Sequence, residues 1–184
     1  DIWSVRIDSE TSQIAIRVVL LDRRLQRLLD IANNSIGEKC QPDDQADRDV
    51  HGGHDKAIYA YAEEDRRWWE SETGRTIERA AFGENLTTSD IDVTNAVIGE
   101  RWAIGTVVLE VSEPRLPCWK LNLRMGDDSF VRRFHASGRP GTYLRIVTSG
   151  DLRAGDVIRV VRVPDHGVTV GDAAQIRRSR AGAE

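Results

Sequence analysis

From Phe82 onward the chain is written in short apolar runs cut by glycine-bearing turns, and this spacing limits the possible folds more than any other feature. Gly99-Glu100 and Gly105-Thr106 bracket RWAI, VVLEV follows at 107–111, and TYLRIV stands at 142–147. SGD and AGD then punctuate the approach to VIRVV at 157–161. Such runs are rich in β-branched and aromatic residues, and the glycines between them suit tight reversals. Short strands so closely spaced predict a mainly β fold, a barrel or a strongly curved sheet.

The remaining segments predict a few helices around that sheet. IWSVRI (2–7) alternates as a strand. In the segment 15–34, Val18, Leu21, Leu25 and Leu28 fall at helical spacing, and Asn33, Asn34 and Gly37 offer stop signals, which predicts an amphipathic helix. The stretch 37–49 is polar and loop-like, and KAIYAY (56–61) has strand composition. EEDRRWWESETGR (63–75) begins acidic and reaches Gly74, as a short helix does. DSFVRRFHAS (128–137) predicts another, ending before Gly138. Trp68 and Trp69 are expected to pack on the sheet, with EEDRR as a solvated helix face. The expected organisation is one barrel domain over 1–163 and a tail, 164–184, whose last stretch is mobile or loosely docked.

Composition narrows the class of function. Of 184 residues, 40% are hydrophobic and 30% charged, with a net charge of −4 and the two signs interspersed. No Arg/Lys block suggests a nucleic-acid groove reader, and no apolar run approaches the ~20 residues of a membrane span. Two cysteines, Cys40 and Cys118, do not make a disulfide scaffold. With no secretory signal pattern at residues 1–10, the expected setting is a reducing cytoplasm with free thiols. No Walker, GxGxxG, HExxH or GxSxG motif is present.

Four stretches hold groups suited to chemistry. In PRLPCWKLN (114–122), Pro114 and Pro117 stiffen a loop that carries Cys118. If the stretch stays extended, Cys118 and Lys120 share a side, and Lys120 with Arg115 favours the thiolate, both nucleophile and soft metal ligand. The alternative is a small buried cysteine that only packs. In HGGHDKA (51–57), Gly52 and Gly53 let backbone N–H groups approach an anion, and Lys56 adds a charge. His51 and His54 form half a metal site there, and an ordinary turn explains the stretch equally well. In FGENL (82–86), Asn85 offers amide donors and an acceptor for a heterocycle's edge, or simply forms the turn. In SGRPGTYLR (137–145), Arg139 and the loop around Gly141 can cradle an anion, or Gly138 can cap a helix before a turn.

Taken together, DDQADRDVHGGHDKAIYAY, FGENLTT, IGERWAIGTVVLEVSEPRLPCWKL, SGRPGTYLRIV and AGDVIRVV resemble the MOSC domain, the family of the C-terminal domain of molybdenum-cofactor sulfurase. The similarity runs in order from about residue 43 to 163 and is greatest to the stand-alone bacterial YiiM-like branch. It implies a β-barrel with short helices and a pocket holding Cys118, which in the family carries sulfur as a persulfide or ligates molybdenum. It also implies a molybdopterin-type cofactor lined by His51, Gly52, Gly53, Lys56, Asn85, Arg115, Lys120, Arg139 and Gly141. Pyridoxal phosphate is not expected on this domain alone. Two departures stand out: a Leu/Arg-rich segment at 15–34 replaces the family's Ser/Thr–Lys–Pro stretch, and the C-terminal helical bundle common in the branch has no counterpart before residue 184.

Three readings follow. In the first, the protein is an oxidoreductase component that binds the molybdenum cofactor through Cys118, takes electrons from a separate reductase and reduces small N-hydroxylated compounds. In the second, it is a sulfur carrier or transferase working through a Cys118 persulfide. In the third, it is a non-catalytic binding module or thiol redox sensor.

Overall fold

The computed structural model describes residues 16–21 and 54–181. In these, the short strands close on themselves. β1 (Ile16–Leu21), β2 (Ile58–Ala62), β3 (Leu86–Ser89), β4 (Arg101–Ile104), β5 (Val107–Pro114), β6 (Thr142–Thr148) and β7 (Val157–Arg162) form a closed barrel in the order β1-β3-β2-β6-β5-β4-β7. The expected mainly β fold is therefore a barrel. All pairings are antiparallel except β2 with β3, and β7 returns to β1 to complete the ring. Among the described residues, no helix is long and apolar enough to cross a membrane.

The helix expected from residue 15 is corrected at its start. Residues 16–21, IRVVLL, form β1, with Arg17 opposite Ser89 on one side and Val157 on the other. Three β-branched residues suit a pleated surface, and the gap between β3 and β7 supplies pairing that overrides the local helical period. The IWSVRI run, the rest of the 15–34 segment and the 37–49 loop lie outside the described residues. So do Cys40, His51, Gly52 and Gly53.

Alternation along β2 divides the interior into two cores. Ile58, Ala60 and Ala62 point into the barrel with Leu86, Trp102, Ile104, Leu109, Val111, Leu144 and Ile158. Tyr59 and Tyr61 point outward, yet they are as buried, because helices cover that face. The helices are α1 (Glu63–Thr73), α2 (Lys120–Met125) and α3 (Phe130–Ser137). Tyr61 stacks on Phe82 with ring centroids 4.3 Å apart and accepts a hydrogen bond from Trp69 Nε1 at 3.0 Å. Trp69 thus packs as expected. α1 stops where Gly74 turns to φ 65° and its N–H caps Glu70 O.

The EEDRR stretch is a solvated face only in part, at Glu64 and Arg67. Glu63 and Asp65 are only 3% and 6% exposed. Arg66, Arg67 and Arg79 all reach Glu63, and Arg139 pairs with Asp65, so the charges enter with partners. The last residues of the tail, 182–184, lie outside the described residues. Residues Val170–Ala181 form α4, which buries Val170 and Ala174. Arg177 Nη2 lies 2.8 Å from Glu113 Oε2, and Arg178 donates to the His135 carbonyl, which together fasten the helix to β5 and α3.

Candidate functional site

Cys118 sits where β5 gives way to α2. Pro114 closes the strand opposite Thr142, and residues 115–118 cross to the helix. The Cys118 carbonyl accepts the Leu121 N–H at 2.9 Å, so this residue also closes the first turn of α2. Its thiol is free and half-buried. The chain does not stay extended, because Trp119 takes φ −53° and ψ −25°, helical values. The shared side expected for Cys118 and Lys120 is therefore lost, and Lys120 is exposed.

Arg115 is the cation built into this loop. Its guanidinium lies 4.8 Å from the Tyr59 ring centroid and 6.0 Å from that of Phe134, and Nη1 donates to the Phe82 carbonyl. Burial works against its charge, but the Tyr59 and Tyr143 phenols and the Cys118 thiol more than offset it, so the guanidinium is held charged. No carboxylate pairs with it among the described residues. The arginine thus brings a charge to the loop that carries Cys118.

Two tyrosines connect this cation to the other predicted residues. Tyr59 and Tyr143 face each other across β2 and β6, with centroids 5.3 Å apart. Burial pushes both phenols above their ordinary value. Lys56, in the 3-10 turn His54–Lys56, holds Nζ 5.9 Å from the Tyr143 centroid and 3.6 Å from Glu113 Oε1. Tyr59 O–H donates to the Pro140 carbonyl at 2.9 Å, which fixes the turn before Gly141.

Several predicted residues serve the fold in ways the sequence did not show. Asn85 Oδ1 accepts the Tyr59 N–H at 2.6 Å and the Asn85 N–H donates to Tyr59 O at 3.0 Å, so its carboxamide oxygen is engaged with β2. Its Nδ2 takes no protein acceptor among the described residues. At Gly141, φ is 64°, and a Cβ would stand 2.7 Å from Ala60 O and 2.8 Å from the Tyr59 hydroxyl. The glycine is demanded by packing within the protein. Arg139 turns away to α1, pairing with Asp65 and lying 4.7 Å from the Trp68 centroid. There it lines a cavity with Asp65, Asp90 and Asp92, which Cys118 does not line.

The structure thus gathers Arg115, Lys56, Asn85 and Gly141 around Tyr59 and Tyr143, with Cys118 in the same loop as Arg115, and leaves Lys120 and Arg139 outside that cluster. Sequence reasoning missed the two tyrosines. For Tyr59 the signal is the alternation IYAYA, which places its phenol on the face opposite Ile58, Ala60 and Ala62; Tyr143 lies in TYLRIV and comes beside it only through the pairing of β2 with β6. It also missed Glu84, which is 2% exposed, accepts the Ala80 and Phe82 N–H groups at 2.7 and 3.1 Å, and holds the FGENL turn in shape. Burial raises the Glu84 carboxyl despite those bonds.

Residues 47–159 match the model of the MOSC domain. YiiM of Escherichia coli (strain K12) is 34% identical over 138 residues, 73% of this chain and 61% of that protein. A Gibberella moniliformis (strain M3125 / FGSC 7600) protein described as "Reductase" is 33% identical over 134 residues, 71% of this chain and 24% of that one. The crystal structure of YiiM from Geobacillus stearothermophilus superposes with a TM-score of 0.67 at 29% identity, covering 70% of this chain and 66% of that chain. The chain spans less than two thirds of the length of the curated relatives it matches.

Proposed function

The chain belongs to the MOSC domain family, and from that premise we propose that it is the cofactor-binding component of a molybdenum-dependent reductase acting on N-hydroxylated compounds. The observation that carries this reading is the free, half-buried Cys118 thiol in a loop whose Arg115 pairs with no carboxylate among the described residues. A molybdenum ion that arrives with the sulfur donors of its own pterin needs only one further soft ligand from the protein. Among the described residues no group of three or more His, Cys, Asp and Glu is placed to hold a metal ion, and a single sulfur ligand fits a metal delivered within a cofactor. The residues present therefore fit the group.

In this reading, Cys118 is the protein's ligand and Arg115 is the cation that the same loop offers to an anionic cofactor. Pro114 and Pro117 restrict the loop before ligand arrives, which lowers the ordering entropy that binding costs. Tyr59 orients Arg115 and, through Pro140, holds the turn at Gly141. Lys56 and the Asn85 amide N–H groups supply a cation and donors to an anionic cofactor or substrate. The bound cofactor supplies a redox metal for cleaving the N–O bond, a two-electron, two-proton reduction that yields the amine and water. The electrons come from a separate module. The relative described as a reductase supports that arrangement, since most of its chain lies outside the match.

Cys118→Ser tests the proposal, because it removes the soft donor while opening almost no cavity. The variant and the parent, both made in a host competent for the cofactor, are compared for melting temperature, bound molybdenum, sulfane sulfur and reductase-coupled turnover. The variant should melt as the parent does and lose both metal and turnover. Full metal and turnover in the variant would overturn the proposal. Sulfane sulfur on the parent, without metal, would move the assignment to the sulfur-carrier reading.

A further inference from the structure

α2 has Cys118 next to one end and a group of arginines at the other. Between its C-terminal end and the segment 75–81 lies a cavity of about 290 Å³. Arg75, Arg79 and Arg124 bring guanidinium groups to it, Ile77 and Met125 add apolar wall, and Glu78 is the only carboxylate among its lining residues. Cys118 does not line it.

Two of these guanidinium groups, those of Arg75 and Arg124, are braced on backbone carbonyls. Arg75 Nη2 donates to the Met125 carbonyl at 2.9 Å, and Arg124 Nη2 donates to the Ala80 carbonyl at 2.6 Å. Each segment thus contributes an arginine anchored on the other's backbone, and neither arginine pairs with a carboxylate among the described residues. Arg79 shares Glu63 with Arg66 and Arg67, and its own contact there is 3.5 Å. Arg75 also covers the Met125 carbonyl, which offsets the partial negative charge that a helix end presents to an anion.

The backbone beside this notch is strained. Ala80 adopts φ 61°, a left-handed conformation unfavourable for a residue with a Cβ. Glu84 accepts its N–H at 2.7 Å, and Arg124 donates to its carbonyl. The turn is therefore held from both sides with the Arg124 guanidinium at the cavity. Strain maintained by specific partners at a cavity marks functional sites more often than ordinary turns.

We propose that this notch is a binding site for a phosphoryl group, either free phosphate or the terminal phosphate of a small ester. Guanidinium groups match phosphate oxygens in two-pronged contacts, and a tetrahedral dianion can meet arginines arriving from different directions. Both segments that grip it would be tied together, and one of them is the helix that begins beside Cys118.

Isothermal titration calorimetry with inorganic phosphate, against chloride at matched ionic strength, tests the site. Ribose 5-phosphate provides the ester arm. One phosphate per chain should bind, and Arg75→Gln and Arg124→Gln should each weaken binding at least tenfold. Arg132→Gln, an exposed arginine outside the cavity, should leave it unchanged. Tighter ribose 5-phosphate binding would assign the site to an ester, and equal binding to phosphate itself. Circular dichroism melts control for folding. If Arg124→Gln fails to fold, Arg124→Lys, which keeps a charge and a donor, should still lose affinity several-fold. No saturable heat with either ligand, or unchanged affinity in the two cavity variants, would overturn the proposal. Cys118→Ser should bind phosphate like the parent, which separates failure here from failure of the molybdenum reading.

Discussion

The barrel interior and the layer outside β2 are both fully buried, yet they are built by opposite rules. The interior holds mostly aliphatic side chains such as Leu86, Ile104, Leu109 and Ile158, together with Trp102, whose Nε1 donates to Glu100 at 2.7 Å. The outer layer is aromatic: Tyr59, Tyr61, Trp69, Phe82, Phe130 and Phe134. Charges enter it, with Arg115 over Tyr59 and Arg133 5.7 Å from the Trp69 centroid. Aliphatic burial is non-directional and suffices to close a barrel. Rings with negative faces can also hold a cation away from water, which aliphatic walls cannot. The Cys118 loop is anchored to the second kind of core through Arg115, so a charged group can be held in that loop.

The sharpest way to break this contrast is to excavate the barrel. Leu109→Ala should destabilise the protein by about 2–5 kcal/mol, because the closed ring cannot collapse onto the void. Urea unfolding monitored by tryptophan fluorescence would show it, and Cys118 labelling should rise only as global unfolding does. A smaller effect, aimed at the other core, is expected from Arg115→Met. It keeps much of the packing but leaves the Phe82 carbonyl without its donor, a cost of about 1–3 kcal/mol. Unlike the barrel variant, it should slow alkylation of Cys118 in the still-folded protein at neutral pH. Faster or unchanged labelling would show that Arg115 does not act on the sulfur.

Much of the barrel was legible because its strands carry their own boundaries. RWAI lies at Arg101–Ile104 as its flanking glycines imply, and VVLEV, TYLRIV and VIRVV extend by only a few residues. The α1 end at Gly74 was likewise local information. β1 was not legible, since its partners are Thr87 and Ser89 on one side and Ile158 on the other, far along the chain. α2 was missed because six residues hold too few turns to show a period. At the site, Cys118 and Arg115 could be singled out from a stiff basic loop. The Arg139–Asp65 pair could not, because seventy-four positions separate the partners and either charge alone reads as surface. Tyr59 was invisible for a related reason: a tyrosine in a strand looks like packing until the arginine that lies over it is known.

The smallest effect separates the two cores by pH. Asp127 stands at the start of α3, where its Oδ1 accepts the Ser129 N–H at 2.8 Å and the Ser129 hydroxyl at 2.6 Å, and its Oδ2 lies 2.9 Å from Arg133 Nη1. Ser129 chiefly, then Arg133, hold its carboxyl down at about 2, against an ordinary value of 3.8. A depressed carboxyl stabilises the folded state above its unfolded value, and that contribution is lost as pH falls from about 4 through about 2. Arg133 also lies near the Trp69 and Phe130 rings, so protonating Asp127 loosens a cation held over the aromatic layer. Asp127→Asn retains one acceptor for Ser129 but neither the charge nor the titration. Above pH 5 the parent should therefore be the more stable of the two, by far less than the Leu109 effect because the pair is open to solvent. The difference should shrink steadily as the pH falls toward 2. Amide exchange in α3, followed across that range in both proteins, would reveal it, while exchange in β4 and β5 should not distinguish them. A stability difference that stays constant with pH would mean that Asp127 acts through its hydrogen bonds alone and not through its charge.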